Sequence, residues 1–219
     1  LETIRSKVLL MGGIVETQFQ EAMNCFRASN PERADHVIAE DNTVNQLEVS
    51  LDDACSHLIV RRQPTANDLR TVMATIKVIT DLERIGDEAA KIARTSKSLH
   101  ARGAIGLNHY DMIRTIATAT IDILHDALDA FARLDGKQAL QLIAQDEVID
   151  HEFRSIMRNL ITFMMEDPRT ISPALDTLWV AKAIERIGDH AKNIAEYVIY
   201  VVEGRDIRHT KPAAPSADQ

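Results

Sequence analysis

Apolar residues recur at three- and four-residue intervals along nearly the whole chain. Ile4, Val8, Met11, Val15, Phe19, Ala22 and Phe26 form the first stripe, which is the mark of a helix that buries one face. Ser29-Asn30-Pro31 interrupts it, and Pro31 suits the first turn of a second helix because its missing N–H would have no intrahelical partner there. In that helix Val37, Val44, Leu51 and Leu58 return every seven residues until Arg61-Arg62-Gln63-Pro64. A third helix is predicted from Thr65-Ala66-Asn67-Asp68 towards Leu99, on Leu69, Val72, Ile76, Ile79, Leu82, Ile85, Ala89 and Ile92. The segment His100–Asn108 contains Gly103 and Gly106 and reads as a linker.

The same order then returns. Ile113, Ile116, Ile121, Leu124, Leu128 and Phe131 mark a fourth helix that ends at Asp135-Gly136. A fifth carries Leu142, Ile149, Phe153, Ile156, Leu160 and Phe163 and stops at Glu166-Asp167-Pro168. The sixth carries Leu175, Leu178, Ile184, Ile187, Ala191, Ile194 and Val198 and ends near Gly204. Residues Thr210–Gln219 are rich in Pro, Ala and Ser, as expected of a disordered tail. The repetition is also literal. Glu83-Arg84-Ile85-Gly86-Asp87 recurs as Glu185-Arg186-Ile187-Gly188-Asp189, an offset of 102, while Ala39-Glu40-Asp41 aligns with Ala144-Gln145-Asp146 at an offset of 105. The predicted fold is all-α: six long antiparallel helices in two tandem, pseudo-symmetric three-helix bundles. The bundles are placed at residues 1–102 and 109–204, joined by a linker at 103–108 and followed by a tail at 205–219.

Composition supports this and removes several functions. Only 8 Gly, 6 Pro and 4% aromatic residues argue against a β-sandwich or barrel. With 25 Lys and Arg against 33 Asp and Glu, the formal net charge is −8, which disfavours binding to a nucleic-acid backbone. No apolar run approaches 18 residues, so no membrane insertion is expected, and no signal peptide is evident. Cys25 and Cys55 form no CxxC and read as buried thiols in a reducing cytoplasm. A Gly-rich phosphate loop, an HExxH pair and a nucleophile elbow are all missing from the sequence. Asp122 with His125, and His190, read as ordinary surface positions. Trp179 reads as helix packing, and Arg61-Arg62 as complements to a helix dipole.

The carboxylates are harder to explain. Glu83 and Asp87 are four residues apart on one helix side, as are Glu185 and Asp189. Like charges at this spacing cost a few tenths of a kcal/mol. Each motif also holds a mid-helix Gly, at about 1 kcal/mol relative to Ala. Asp146 and Asp150 form a further i, i+4 pair, matched in the first half by Asp41 and Asn45. In antiparallel helices these pairs can converge, giving one group of Asp41, Asn45, Glu83 and Asp87 and a second of Asp146, Asp150, Glu185 and Asp189. Facing carboxylates repel unless a cation lies between them, and oxygen ligands suit Mg, Mn, Ca or Fe, with Zn also accepted. Both groups lie off the apolar face, so the locus is expected at the bundle surface. Asn45 removes one charge from the first group. The second is therefore expected to bind more tightly, unless Glu48, on the same helix side, restores the charge.

With these residues in hand, the chain resembles the PhoU family of accessory regulators of bacterial phosphate-specific transport. The resemblance runs from Leu1 to His209 and is carried by Arg62-Gln63-Pro64, Asn67-Asp68-Leu69-Arg70 and Asp81–Asp87. Ala183–Asp189 and Gly204–His209 carry it in the second half. It implies a cytoplasmic protein, often dimeric, that negatively regulates the phosphate-starvation regulon. Such a protein couples the ATPase of the phosphate ABC transporter to a membrane sensor histidine kinase. It also implies multinuclear metal clusters, iron or zinc before manganese or magnesium, held by Asp41, Glu83 and Asp87 and by Asp146, Asp150, Glu185 and Asp189. The leading expectation is a non-enzymatic adaptor. The alternatives are a carboxylate-bridged metalloenzyme, disfavoured because Glu-x-x-His is missing from the chain, and a metal-free helical binding module.

Overall fold

The computed structural model describes residues 2–28, 30–103 and 107–207, with side chains from residue 110 onwards in the last segment. They form α1 (Glu2–Arg27), α2 (Pro31–Arg62), α3 (Ala66–Ala101), α4 (Leu107–Arg133), α5 (Gly136–Glu166), a 3-10 turn at Pro168–Thr170, and α6 (Ile171–Glu203). The breaks fall where the turn chemistry puts them. Asn30 caps α2 by accepting from the Arg33 N–H at 2.9 Å, and Pro31 opens the helix. Gln63 ends α2 in the left-handed region at φ 44°. Asp135 caps α5 through the N–H groups of Lys137 and Gln138, and Gly204 ends α6 at φ 73°.

The linker is shorter than the sequence suggested. His100 and Ala101 belong to α3, and Leu107 and Asn108 to α4. A helical turn needs only local hydrogen bonds, so α3 runs on until Gly103 adopts φ 63°. The linker residues 104–106 and the tail residues 208–219 lie outside the described residues.

The helices are about 40–50 Å long at 1.5 Å per residue, and α3 and α6 pack antiparallel along most of their length. Arg70 lies over the Tyr200 ring and Lys77 over Tyr197. Further along, Asp81 meets His190, Glu88 meets Arg186, and Arg102 meets Asp176. Around this spine α1 packs on α3, α4 packs on α6, and α1 and α4 touch each other. The two repeats therefore share a central layer of four helices, with α2 outside against α1 and α3, and α5 outside against α4 and α6. One continuous core results, with Phe19, Phe26, Leu51, Leu82, Ile85 and Leu124 fully buried.

Two sequence expectations are corrected here. Trp179 is not a packing residue, being 69% exposed. It lies two positions from buried Thr177 and from buried Ala181, about 200° round the helix from each. Leu175 and Ile171 flank it on the same open side. His190 is not a surface histidine. It is half-buried, and its Nδ1 lies 2.6 Å from Asp81 Oδ1 across the α3–α6 seam.

Candidate cation-binding clusters

The first cluster lies along the seam between α2 and α3. These helices run antiparallel, with Lys97 bonded to Asp35 at one end and Glu48 beside Glu83 further along. Close approach depends on Gly86, where a Cβ would stand 3.1 Å from Gln18 Oε1 and 3.3 Å from Val44 Cγ1. The motif glycines thus serve helix contact, as Gly188 does against Ile149 at 2.9 Å. The approach brings Asp41 and Asn45 of α2 to the same seam as Glu83 and Asp87 of α3. Burial, and then the Asp87 charge, raise the Asp41 carboxyl above its ordinary range, against Arg94 and Lys91. Glu83 is raised by burial and by Asp87 and Asp41, against Arg84 and Lys91.

Two more carboxylates join this group. Glu48 and Asp52 continue the stripe of Asp41 and Asn45 at the i+7 and i+11 positions. Burial and the charges of Glu83 and Asp52 raise Glu48, and burial alone raises Asp52. Glu48 could be suspected from the sequence. Asp52 was missed, although its spacing from Glu48 is the same i, i+4 signal. The cationic neighbours stand off: Lys91 Nζ is 3.4 Å from Asp87, Arg84 Nε 3.4 Å from Glu83, and Arg94 Nη2 4.0 Å from Asp41. Four buried acceptor oxygens of the cluster receive no hydrogen bond: Asp41 Oδ1, Asn45 Oδ1, Asp52 Oδ1 and Glu83 Oε2.

The second cluster, on α5 and α6, brings together Asp146, Asp150, Glu185 and Asp189, whose charges act on one another. It is filled differently. Lys192 Nζ donates to Asp146 Oδ2 at 2.6 Å, and Lys182 Nζ lies 2.6 Å from both oxygens of Glu185. Arg154 is 3.5 Å from Asp150. Only Asp146 Oδ1 is buried without a partner. Burial opposes the Lys192 charge, yet its bond to Asp146 and the neighbouring acids raise its pKa. Asp189 reaches solvent, but desolvation and then the charges of Glu185, Asp146 and Asp150 push its carboxyl up to about 6, against Lys182. Asp146 and Glu185 are 4% and 9% exposed, while Asp150 and Asp189 reach solvent, so the locus opens at the bundle surface with two of its acids beneath it. The outer helix α5 covers Glu185 of α6 but leaves Asp189 open.

Among the described residues, no three Asp, Glu, His or Cys groups are placed so that they enclose an ion. Donor chemistry separates the two clusters. In the first, buried oxygens that accept no hydrogen bond are the donor type a hard divalent cation takes, but they are not gathered round one point. In the second, the deepest carboxylates already hold ammonium groups. The other constellation of the fourth helix resolves as an ion pair, His125 with Glu16 of α1 at 3.2 Å. Both cysteines are buried and reduced, and burial raises their thiols.

Two pseudo-symmetric helical repeats, each with an acidic seam between an outer and an inner helix, define an all-α repeat protein. The chain belongs to the PhoU domain family, whose model matches residues 8–96 and 113–198, one match in each repeat. It is 46% identical over 211 residues to the phosphate-specific transport system accessory protein PhoU of Serratia marcescens, covering 95% of this chain and 85% of the relative. The corresponding protein of Escherichia coli K12 is 44% identical over 212 residues, covering 95% and 86%. The crystal structure of PhoU from Pseudomonas aeruginosa superposes with a TM-score of 0.91 at 43% identity, covering 94% of this chain and 98% of that one. A regulatory PhoU from Streptococcus pneumoniae shares the fold at a TM-score of 0.86 and 24% identity. These relatives carry the names of accessory proteins, not of enzymes.

Proposed function

We propose that the chain is an accessory protein of phosphate-specific transport that regulates phosphate uptake and holds down the phosphate-starvation regulon. The observation that carries this is kinship through both repeats: each matches the family, and identity to named transport accessory proteins is 44–46% over 95% of the chain. The finer reading is an adaptor in the cytoplasm, working as a homodimer. It contacts the ATPase subunit of the phosphate ABC transporter and a membrane sensor histidine kinase. Among the described residues no helix is long and apolar enough to cross a membrane.

Metal belongs to the same reading. Asp41, Asn45, Glu83 and Asp87, with Glu48 and Asp52, are the residues that would hold a cation in the first repeat. The chemistry it supplies is charge neutralisation between like-charged helices. The protein's part is to fix the α2–α3 separation through Gly86 and to present buried oxygens from both helices. Deleting the gene should derepress phosphate-starvation genes in high phosphate, read by a reporter or transcript counts. Unchanged expression would overturn the regulatory reading. Pull-down against the transporter ATPase and the kinase tests the adaptor role, and capture of neither removes it.

A further inference from the structure

We propose that the open face at the α5–α6 turn, formed by Ile161 and Met165 of α5 and Ile171, Leu175 and Trp179 of α6, is the surface on which the transporter's ATPase subunit docks, through an amphipathic helix whose apolar side is flanked by Asp and Glu. The inference rests on the adaptor reading and adds to it the place and the chemistry of the contact. The relatives are named as accessories of a transport system, which selects the transporter's own subunit over the kinase as the occupant.

Five large apolar side chains stand open here. Ile161, Ile171 and Leu175 are 42–45% exposed, Trp179 69% and Met165 80%. They share one side of the molecule. Asp150 and Asp189 act on each other across the α5–α6 seam and both reach solvent. Ile161 stands 11 residues after Asp150 and Ile171 stands 18 residues before Asp189, about three and five whole turns, so both open on that side. Lys182 over Phe153 and Gly188 against Ile149 fix the antiparallel register, which sets Leu175 level with Ile161 and Ile171 level with Met165. Trp179 follows one turn beyond Leu175. Contiguous open apolar residues mark interaction sites, and Trp is among the side chains that most often dominate binding energy.

Charge selects the chemistry of the occupant. Past the apolar residues both helices turn basic, with Arg158 and Arg154 on α5 and Lys182 and Arg186 on α6; Asp150 and Asp189 come only beyond this band. Arg158 forms no ion pair among the described residues. Arg154 is 3.5 Å from Asp150 with its side chain largely exposed. Lys182 and Arg186, held to Glu185 and Glu88, are half-exposed, and an ammonium or guanidinium in one ion pair still has N–H donors to offer. A helix whose apolar side is flanked by Asp and Glu complements this order of surfaces, and one flanked by Lys and Arg is repelled. The first repeat lacks the central anchor. Leu69, Met73 and Lys77 take the places of Ile171, Leu175 and Trp179 at the offset of 102, and Lys77 lies over the Tyr197 ring. The structure therefore assigns the site to the second repeat alone.

Trp179 is the single tryptophan of the chain, so fluorotryptophan labelling places one fluorine nucleus within this face. The labelled full chain is titrated with the purified, unlabelled ATPase subunit and followed by fluorine NMR. Affinity is measured by calorimetry, and circular dichroism confirms the helicity of each variant. The fluorine resonance should shift on binding and lose its response to exchange of H2O for D2O. Trp179→Ala and Leu175→Ser should each weaken binding at least tenfold. Arg158→Glu should weaken it about threefold, with the deficit shrinking as salt is raised. Met73→Ser, at the equivalent exposed position of the first repeat, should leave it within about twofold. An ATPase subunit that binds without moving the fluorine signal, or binds Trp179→Ala and Leu175→Ser as tightly as wild type, overturns the proposal and leaves the adaptor reading with its contact elsewhere. Wild-type affinity in Arg158→Glu overturns the acidic flanks. A signal moved by the kinase's cytoplasmic part and not by the ATPase subunit overturns the choice of occupant. If wild type binds neither, this surface and the adaptor reading fall together, while the regulatory reading is still judged by gene deletion.

Discussion

At the residue scale, Asp41, Glu48, Asp52, Glu83 and Asp189 are held where ionisation is unfavourable. Asp189 makes this measurable. Its ordinary value is 3.8 and its folded value about 6, so protonation favours the folded state. Its contribution is fully present below about pH 4 and is lost as pH rises through about 6. At pH 8 the charge opposes folding in the metal-free protein. Asp189→Asn should therefore raise stability there by about 1 kcal/mol, a figure reduced for the solvent the side chain reaches. The advantage should shrink through pH 6 and vanish near pH 4, as followed by urea denaturation at several pH values. A constant difference across that range would show that Asp189 acts by packing.

At the element scale, glycine positions sort by what surrounds them. Gly13 of α1 has nothing within 4 Å of a built Cβ, so Gly13→Ala should stabilise the protein by about 0.5–1 kcal/mol through helix propensity and a less flexible unfolded chain. Gly86 stands between Gln18 and Val44. Gly86→Val should force α2 and α3 apart and cost about 2–3 kcal/mol, visible as a loss of Tm of several degrees. If both substitutions behaved alike, close approach at the motif would not explain the glycine. The same contact ties packing to the site, because the distance between α2 and α3 sets how near Asp41 comes to Asp87.

At the scale of the whole molecule, the repeats are joined by buried polar pairs rather than by apolar surface alone. Arg186 Nη1 lies 2.8 Å from Glu88 Oε1, whose side chain is 5% exposed, and Lys91 reaches the same oxygen at 3.1 Å. Lys91 also faces Asp87 of the first cluster at 3.4 Å, while Arg186 is part of the second motif. One chain of ion pairs therefore runs from the first acidic seam to α6. Arg186→Met should destabilise by about 2 kcal/mol, since it leaves a buried carboxylate with Lys91 alone. Arg154→Met, at a surface pair, should cost under about 0.5 kcal/mol. Thermal unfolding of both variants checks the contrast, and equal small effects would mean the seam pair adds no net stability.

Six helices, their breaks and their twofold repetition are legible in the residue order. Those rest on local periodicity, caps such as Asn30 and Asp135, and the repeated Glu-Arg-Ile-Gly-Asp motif, all of which are readable within a few residues. The residue order also named the acids of both seams, because i, i+4 spacing survives in any helix. Tertiary structure decided what each acid meets. Which side chains lie opposite depends on the α2–α3 and α5–α6 pairings, which bring together residues about 40 positions apart. For that reason the place of Asp52 beside Glu48, and the pairing of Lys182 and Lys192 with Glu185 and Asp146, are not written in the local pattern. The exposure of Trp179 and the pairing of His190 with Asp81 have the same origin. A helix has a buried face only relative to its neighbours, and the antiparallel docking of α3 on α6, with α5 outside it, set where that face lies.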